Sequence, residues 1–90
     1  MTMAPGGATG RHYHPGQVLV IVESGTLTRV LHDGTVETTR AGCAFVEEGG
    51  PGHAHSGHNL GAVPVVLHVT YLVPAGCPLS IPVRSAERCN

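Results

Sequence analysis

The sequence predicts an all-β domain, and three observations point there. Valine is concentrated in short runs: Val18, Val20 and Val22 in one, and Val63, Val65, Val66, Val69 and Val73 in another. Stiff at χ1, valine suits a pleated sheet better than a helix. The 13 Gly and 7 Pro punctuate 90 residues too often for a helix of any length. With no Trp, one Phe and two Tyr, the core must be aliphatic. The expected organisation is a single domain over residues 1–90 with its core at about 4–83, small enough that its margin of buried area is thin.

Residues 4–11 read as a Gly/Pro-rich lead-in. Gln17 to Glu23 is a strand, closed by Ser24-Gly25. In Thr26 to Leu31, Leu27, Arg29 and Leu31 alternate with Thr26, Thr28 and Val30, as a half-buried strand does. The Asp33-Gly34 pair predicts a type I′ hairpin turn, and Thr35 to Thr39 returns as a threonine-rich strand. Cys43 to Val46 is a short strand, followed by a loop from Glu47 to Gly52. His53 to Asn59 is read as another short strand. Gly61 to Pro64 turns the chain into the longest apolar run, Val65 to Val73, which predicts a buried strand. Pro74-Ala75-Gly76 ends it. Leu79 to Val83 is a last strand whose alternating prolines suit an edge. Short strands with tight turns imply a barrel or jelly roll, without internal repeat or linker.

The five basic residues are all arginine (Arg11, Arg29, Arg40, Arg84, Arg88), and the formal net charge is −1. They are scattered, which argues against a nucleic-acid or anionic-membrane partner. No run approaches the length of a transmembrane helix. Met1 to Gly7 lacks the basic start and apolar stretch of a signal peptide, which inclines the expectation toward the cytoplasm. Three cysteines, Cys43, Cys77 and Cys89, form no C-x-x-C pair, so a cysteine-only zinc site is not expected. Whether Cys77 and Cys89 bridge is left open. Cys43 reads as a small buried apolar residue.

Seven histidines are well above ordinary usage. Histidine is the commonest protein ligand for transition metals. In an extended segment, residues i and i+2 share a face, so His12-x-His14 aims two imidazoles at one point. A second cluster, His53, His55 and His58, follows about forty positions later. Folded back over the first, it would bring three neutral nitrogens to a divalent metal.

These residues resemble the two motifs of the cupin superfamily. The first is usually written G-x5-H-x-H-x3/4-E-x6-G, and Gly6, His12, His14 and Gly25 fall in place. The glutamate position is Val18, with Gln17 the nearest polar substitute. The second is usually G-x5-P-x-G-x2-H-x3-N; Gly42 and Gly50 fit, and Glu48 stands at the proline. Strict counting puts the histidine at His53 and leaves Gly57 at the asparagine. Two extra loop residues give His55-x3-Asn59 instead, which recovers both. The stretches His12 to Val20, Ala44 to Glu47 and Tyr71 to Gly76 are similar to small bacterial single-domain cupins, and the resemblance spans about residues 4–83.

The resemblance implies a small double-stranded β-helix, or jelly-roll barrel, short at its N-terminus. It also implies a metal held by His12, His14 and His55, with Gln17 and His53 as further candidates. Without the glutamate the site is made of neutral imidazoles, which favours Zn²⁺, Ni²⁺, Cu²⁺ or Fe²⁺ over Mg²⁺ and Ca²⁺. Some cupins, the thiol dioxygenases among them, work with three histidines. The missing first strands would leave an open sheet edge, so a homodimer is expected to cover it.

Among the other candidates, Gln17 is read as a weak fourth ligand or a hydrogen-bond donor to bound substrate. His58 is read as a strand-edge residue, His68 as a hydrogen-bonded core group, His32 as solvated, and Tyr13 as packing. Glu47 and Glu48 are read as solvated loop residues, with an acid/base role at the barrel mouth as the sharper alternative. Three functions follow: a metal and small-molecule binding module, a metal-dependent dioxygenase, isomerase or lyase, and a structural homodimer with a vestigial site. With no evident general base and few aromatics, the sequence leans to binding.

Overall fold

A computed structural model of the chain describes residues 1–83, which are all-β with no α-helix among them. The strands are β1 (Thr2–Met3), β2 (His12–Tyr13), β3 (Gln17–Ser24), β4 (Thr26–Val30), β5 (Val36–Arg40), β6 (Ala44–Glu47), β7 (Ser56–His58), β8 (Val65–Leu72) and β9 (Ile81–Pro82). A 3-10 turn occupies Pro51–His53. One sheet runs β1-β8-β3-β6, a second β5-β4-β7, and β2 pairs with β9 in a short ribbon. No helix among the described residues is long and apolar enough to cross a membrane.

The core lies between the two larger sheets. Period-2 alternation turns Val18, Val20 and Val22 of β3 inward, where they pack with Leu27 of β4, Val65 and Leu67 of β8, and Met3. Register sets the inward rows: Tyr71 and Glu47 flank Val18, and Val69 and Phe45 flank Val20. Tyr13, Ala54 and Ile81 form a second, smaller cluster, so Tyr13 does pack.

The lead-in is more ordered than its composition implies. Gly6 N–H donates to Asn59 O at 2.9 Å, Thr9 N–H to Gly57 O at 2.8 Å, and His12 and His55 exchange both backbone bonds at 2.9 and 2.8 Å. Residues 6–12 thus run antiparallel beside β7 and its approach. Thr2–Met3 extends the chain's pairing further, against Val66 and Val65 of β8.

Several sequence expectations are corrected. The 3-10 turn takes up His53, so the expected strand over 53–59 shrinks to Ser56–His58. The last strand is limited to Ile81–Pro82. The hairpin turn is not type I′, because Asp33 has no positive φ. Instead Gly34 N–H bonds Leu31 O at 3.0 Å and Gly34 alone is left-handed, the three-residue loop that ends in a glycine bulge. Strand β8 is buried on one face only: Val65 and Leu67 point inward, while His68, Thr70 and Leu72 are exposed. A single layer covers that sheet. His68 therefore sits outside the core and pairs with exposed Glu23 at 2.6 Å. Cys43 is exposed at the start of β6 rather than buried. Cys89 lies outside the described residues.

The outer face of the same sheet carries Leu19, Ile21, Val46 and Leu72, between 39% and 64% exposed. Leu19 pairs directly with Val46 across the ladder, and Ile21 with Ala44. Leu19, Ile21, Ala44 and Val46 are therefore contiguous, with Leu72 beside Gln17 on the same face.

Asn59, only 1% exposed, is a structural latch. Its amide donates to Met3 O at 3.0 Å and Val63 O at 2.8 Å, and its carbonyl accepts from Gly61 N–H at 3.0 Å. Replacing it with leucine strands two carbonyls and one N–H. Asn59→Leu should cost about 2–4 kcal/mol of stability. Urea denaturation checks this, and a loss below about 0.5 kcal/mol would show that the latch is not holding the N-terminal strand.

Candidate metal centre

The two-way backbone bond between His12 and His55 sets their side chains next to each other, and the extended backbone at Tyr13 returns His14 to the same side. Ring centroids lie 5.0 Å apart for His12 and His14, 4.5 Å for His12 and His55, and 5.1 Å for His14 and His55. One ring nitrogen of each lies within 4.8 Å of those of the other two. The chain crosses at close quarters here. Gly50 N–H donates to His14 O at 2.7 Å, and a side chain on Gly16 would strike the Leu72 carbonyl. Gly16 is therefore required by the close approach.

All three rings are fixed in the same way. Nδ1 lies 2.7 Å from Gly10 O in His12, 2.8 Å from Leu79 O in His14, and 2.9 Å from His53 O in His55. A carbonyl can only accept, so each Nδ1 carries the proton and each Nε2 is left as a ligand atom. This backbone anchoring of the distal nitrogen is the usual support of a metal-bound histidine.

A carboxylate adjoins two of the three rings. Glu47, 9% exposed, places Oε1 3.2 Å from His14 Nε2 and Oε2 2.9 Å from His55 Nε2. With Nδ1 already protonated, a neutral imidazole would turn its Nε2 lone pair toward that carboxylate. The contact is attractive only with a cation, a proton or a metal, between them. Arg29 Nη1 donates to Glu47 Oε2 at 3.2 Å, and its Nη2 to Glu37 Oε1 at 2.7 Å. Its guanidinium lies 3.6 Å over the Phe45 ring.

Sequence reasoning placed Glu47 in a solvated loop. It is instead the last residue of β6, buried on the inner face two positions after Phe45. That period was readable; what hid it was the run of loop residues from Glu48 onward. Arg29 is likewise legible as the inward partner of Leu27 in β4, although its charge groups it with the scattered arginines. Gln17 points outward and bonds Glu48 at 3.1 Å, so the structure does not bring it to the histidines. His53 is exposed and meets His32 edge-to-face with ring centroids 5.3 Å apart, also apart from the cluster. His58 is half-buried and bonded to Ser56.

A cavity of about 330 Å³ opens from the cluster into the space between the sheets, with Phe45, Tyr71, Leu67 and Val69 among its walls. The aromatics are few, as the sequence says, but two of the three line this cavity.

The family model for the cupin domain matches residues 1–81. The chain belongs to the cupin family. Its fold is similar to oxalate oxidase, with 26% identity and a TM-score of 0.65 over 76% of this chain and 37% of that one. It is also similar to a sugar phosphate isomerase of the cupin superfamily from Silicibacter pomeroyi, at 27% and 0.66 over 76% and 44%. An uncharacterised conserved protein with a double-stranded β-helix domain from Klebsiella pneumoniae gives 25% and 0.71 over 92% and 70%. The chain thus spans less than half the length of the first two. No curated protein matches it. All-β architecture and the cupin jelly roll are as the sequence predicts.

Electrostatics within the cluster set a pH dependence for the metal-free protein. Burial lowers the basicity of His12, aided by the neighbouring His55 and His14, so its pKa falls below the ordinary 6.5. Burial acts the same way on His14, but its bonds to Glu47 and Leu79 O outweigh it and raise the pKa. Burial likewise raises Glu47, but the bonds from His14 and His55 prevail and hold it well below its ordinary 4.5. The raised His14 contributes stability that is full below about 6.5 and lost as pH rises through its folded value. The lowered His12 and Glu47 contribute stability that is lost as pH falls. Chelator-treated protein should therefore be most stable near mildly acidic to neutral pH. Glu47→Gln should remove the alkaline decline, as followed by thermal unfolding from about pH 5 to 9. An unchanged alkaline slope in that variant would show that the ion pair with His14 does not act.

Proposed function

We propose that this cupin binds one transition metal through His12, His14 and His55, and that the adjoining cavity admits a small-molecule ligand. One observation carries the reading: every ring has its Nδ1 tied to a backbone carbonyl, which leaves three Nε2 atoms to converge. Such a set suits Zn²⁺, Ni²⁺, Fe²⁺ or Cu²⁺. When bound, the metal would supply Lewis-acid or redox chemistry. The chain's own residues orient the rings, exclude water from the His14 side, and shape the cavity wall with Phe45 and Tyr71.

An enzymatic reading is the second. It is favoured by the cavity beside the histidines and by the likeness to an oxidase and an isomerase. Metal analysis comes first. Protein purified without a polyhistidine tag and reconstituted should hold about one metal per chain, and replacing both His12 and His14 with Ala should abolish it. A content near zero in the wild type after loading with Zn²⁺, Ni²⁺ and Fe²⁺ would overturn the reading.

Assembly belongs to the same proposal. Leu19, Ile21, Val46 and Leu72 form an exposed apolar face on a sheet whose β1 edge covers only two residues of β8. A second copy laid on that face buries the patch and shields the edge. Light scattering should give twice the mass of one chain, and Ile21→Glu should halve it without unfolding the protein. A single-chain mass for the wild type at micromolar concentration excludes the homodimer.

A further inference from the structure

The first motif lacks its carboxylate: Val18 stands at the glutamate position, fully buried and apolar. The ladder between β3 and β6 pairs Val18 directly with Glu47. Directly paired residues point to the same face with Cβ atoms about 4.5–5.5 Å apart. We propose that Glu47 is a fourth ligand of the metal, supplying from β6 the carboxylate that the motif places on β3. The inference rests on the three-histidine reading above and adds to it an anionic ligand from a different strand.

The spacings fit a shared ion. Ligand atoms about 2.05 Å from a metal lie about 2.9 Å apart at right angles and about 3.3 Å apart at the tetrahedral angle. Glu47 oxygens lie 2.9 Å from His55 Nε2 and 3.2 Å from His14 Nε2. Each oxygen faces a different imidazole, so one ion can replace the protons of both contacts. Arg29 holds the group in place. Its Nη1 grips Oε2, its Nη2 is anchored by Glu37 directly across the β4–β5 ladder, and Phe45 lies beneath the guanidinium. The carboxylate is therefore positioned before any metal arrives. His14, His55 and Arg29 are the charged or titratable groups that contact it. An anionic ligand widens the metal range toward harder divalent ions such as Mn²⁺ and Fe²⁺.

The test compares Mn²⁺ affinity and the visible spectrum of the Co²⁺-loaded protein in untagged wild type and Glu47→Gln. The expected result is a loss of at least about tenfold in Mn²⁺ affinity with a changed Co²⁺ spectrum. The pair Val18→Glu with Glu47→Val should recover Mn²⁺ binding, since the carboxylate returns across one ladder rung. Should Glu47→Gln unfold by leaving Arg29 unpaired, Arg29→Met with Glu47→Gln removes both charges and gives the same readout. Wild-type Mn²⁺ affinity and an unchanged Co²⁺ spectrum in the carboxamide variant, with binding still abolished by loss of His12 and His14, would overturn the fourth ligand and leave the three-histidine site standing. A wild type that binds no metal overturns both.

Discussion

The reciprocal backbone bond between His12 and His55 is the contact on which the rest of the site depends. It joins two segments more than forty residues apart at a single rung, outside any regular ladder. Without it the two histidine clusters belong to separate loops. With it, the lead-in is fastened along Asn59, Gly57 and His55, and the imidazoles have nowhere to point but toward each other. The latch at Asn59 and the close approach at Gly16 hold the two ends of that seam. Neither role can be read from composition. Both positions fix where the loop runs.

A second constraint crosses the layers. Arg29 belongs to the sheet containing β4, Glu47 to the sheet containing β3, and their bond ties one layer to the other through the histidine cluster. Arg29 also leaves its Nε buried without a hydrogen-bond partner. A buried unsatisfied donor costs on the order of 1–3 kcal/mol. The site is thus held by groups that a purely structural core would replace with aliphatic side chains. The arginine that holds Glu47 beside the imidazoles thus leaves a buried donor unsatisfied.

Much of the fold was legible because valine alternation is a strong signal. The boundaries of β3 and β4 and the inward set Val18, Val20 and Val22 follow from it. What failed was anything decided by a neighbour in space. The run Val65 to Val73 looks buried throughout, yet the second layer covers one face only, leaving His68 and Leu72 in solvent. Asp33-Gly34 carries the composition of a type I′ turn, but Gly34 alone takes the left-handed backbone. For the site, the motifs read with two extra loop residues point to His12, His14 and His55, a group that the fold does bring together. They could not show that Glu47 sits opposite Val18, because register between β3 and β6 is a property of the ladder and not of either segment.

The dimensions of the cavity limit what could reach such a centre. About 330 Å³ lies near the lower end of the range for small-molecule pockets, and part of its wall is made by Met1, Met3 and Tyr71. Met1 and Met3 belong to the N-terminal segment that pairs against β8, so the first few residues form part of the pocket wall as well as an edge strand. Methionine is flexible and polarisable, and adapts its shape to what it touches. The histidine end of the cavity is rigid, with three rings and a carboxylate fixed by backbone or arginine contacts, while the opposite end can yield. On the proposed reading, a ligand would be held in register by its polar end at the histidines and tolerated in shape at the other. Discrimination should come from the group that meets the histidines, and size selection from how far Met1 and Met3 give way.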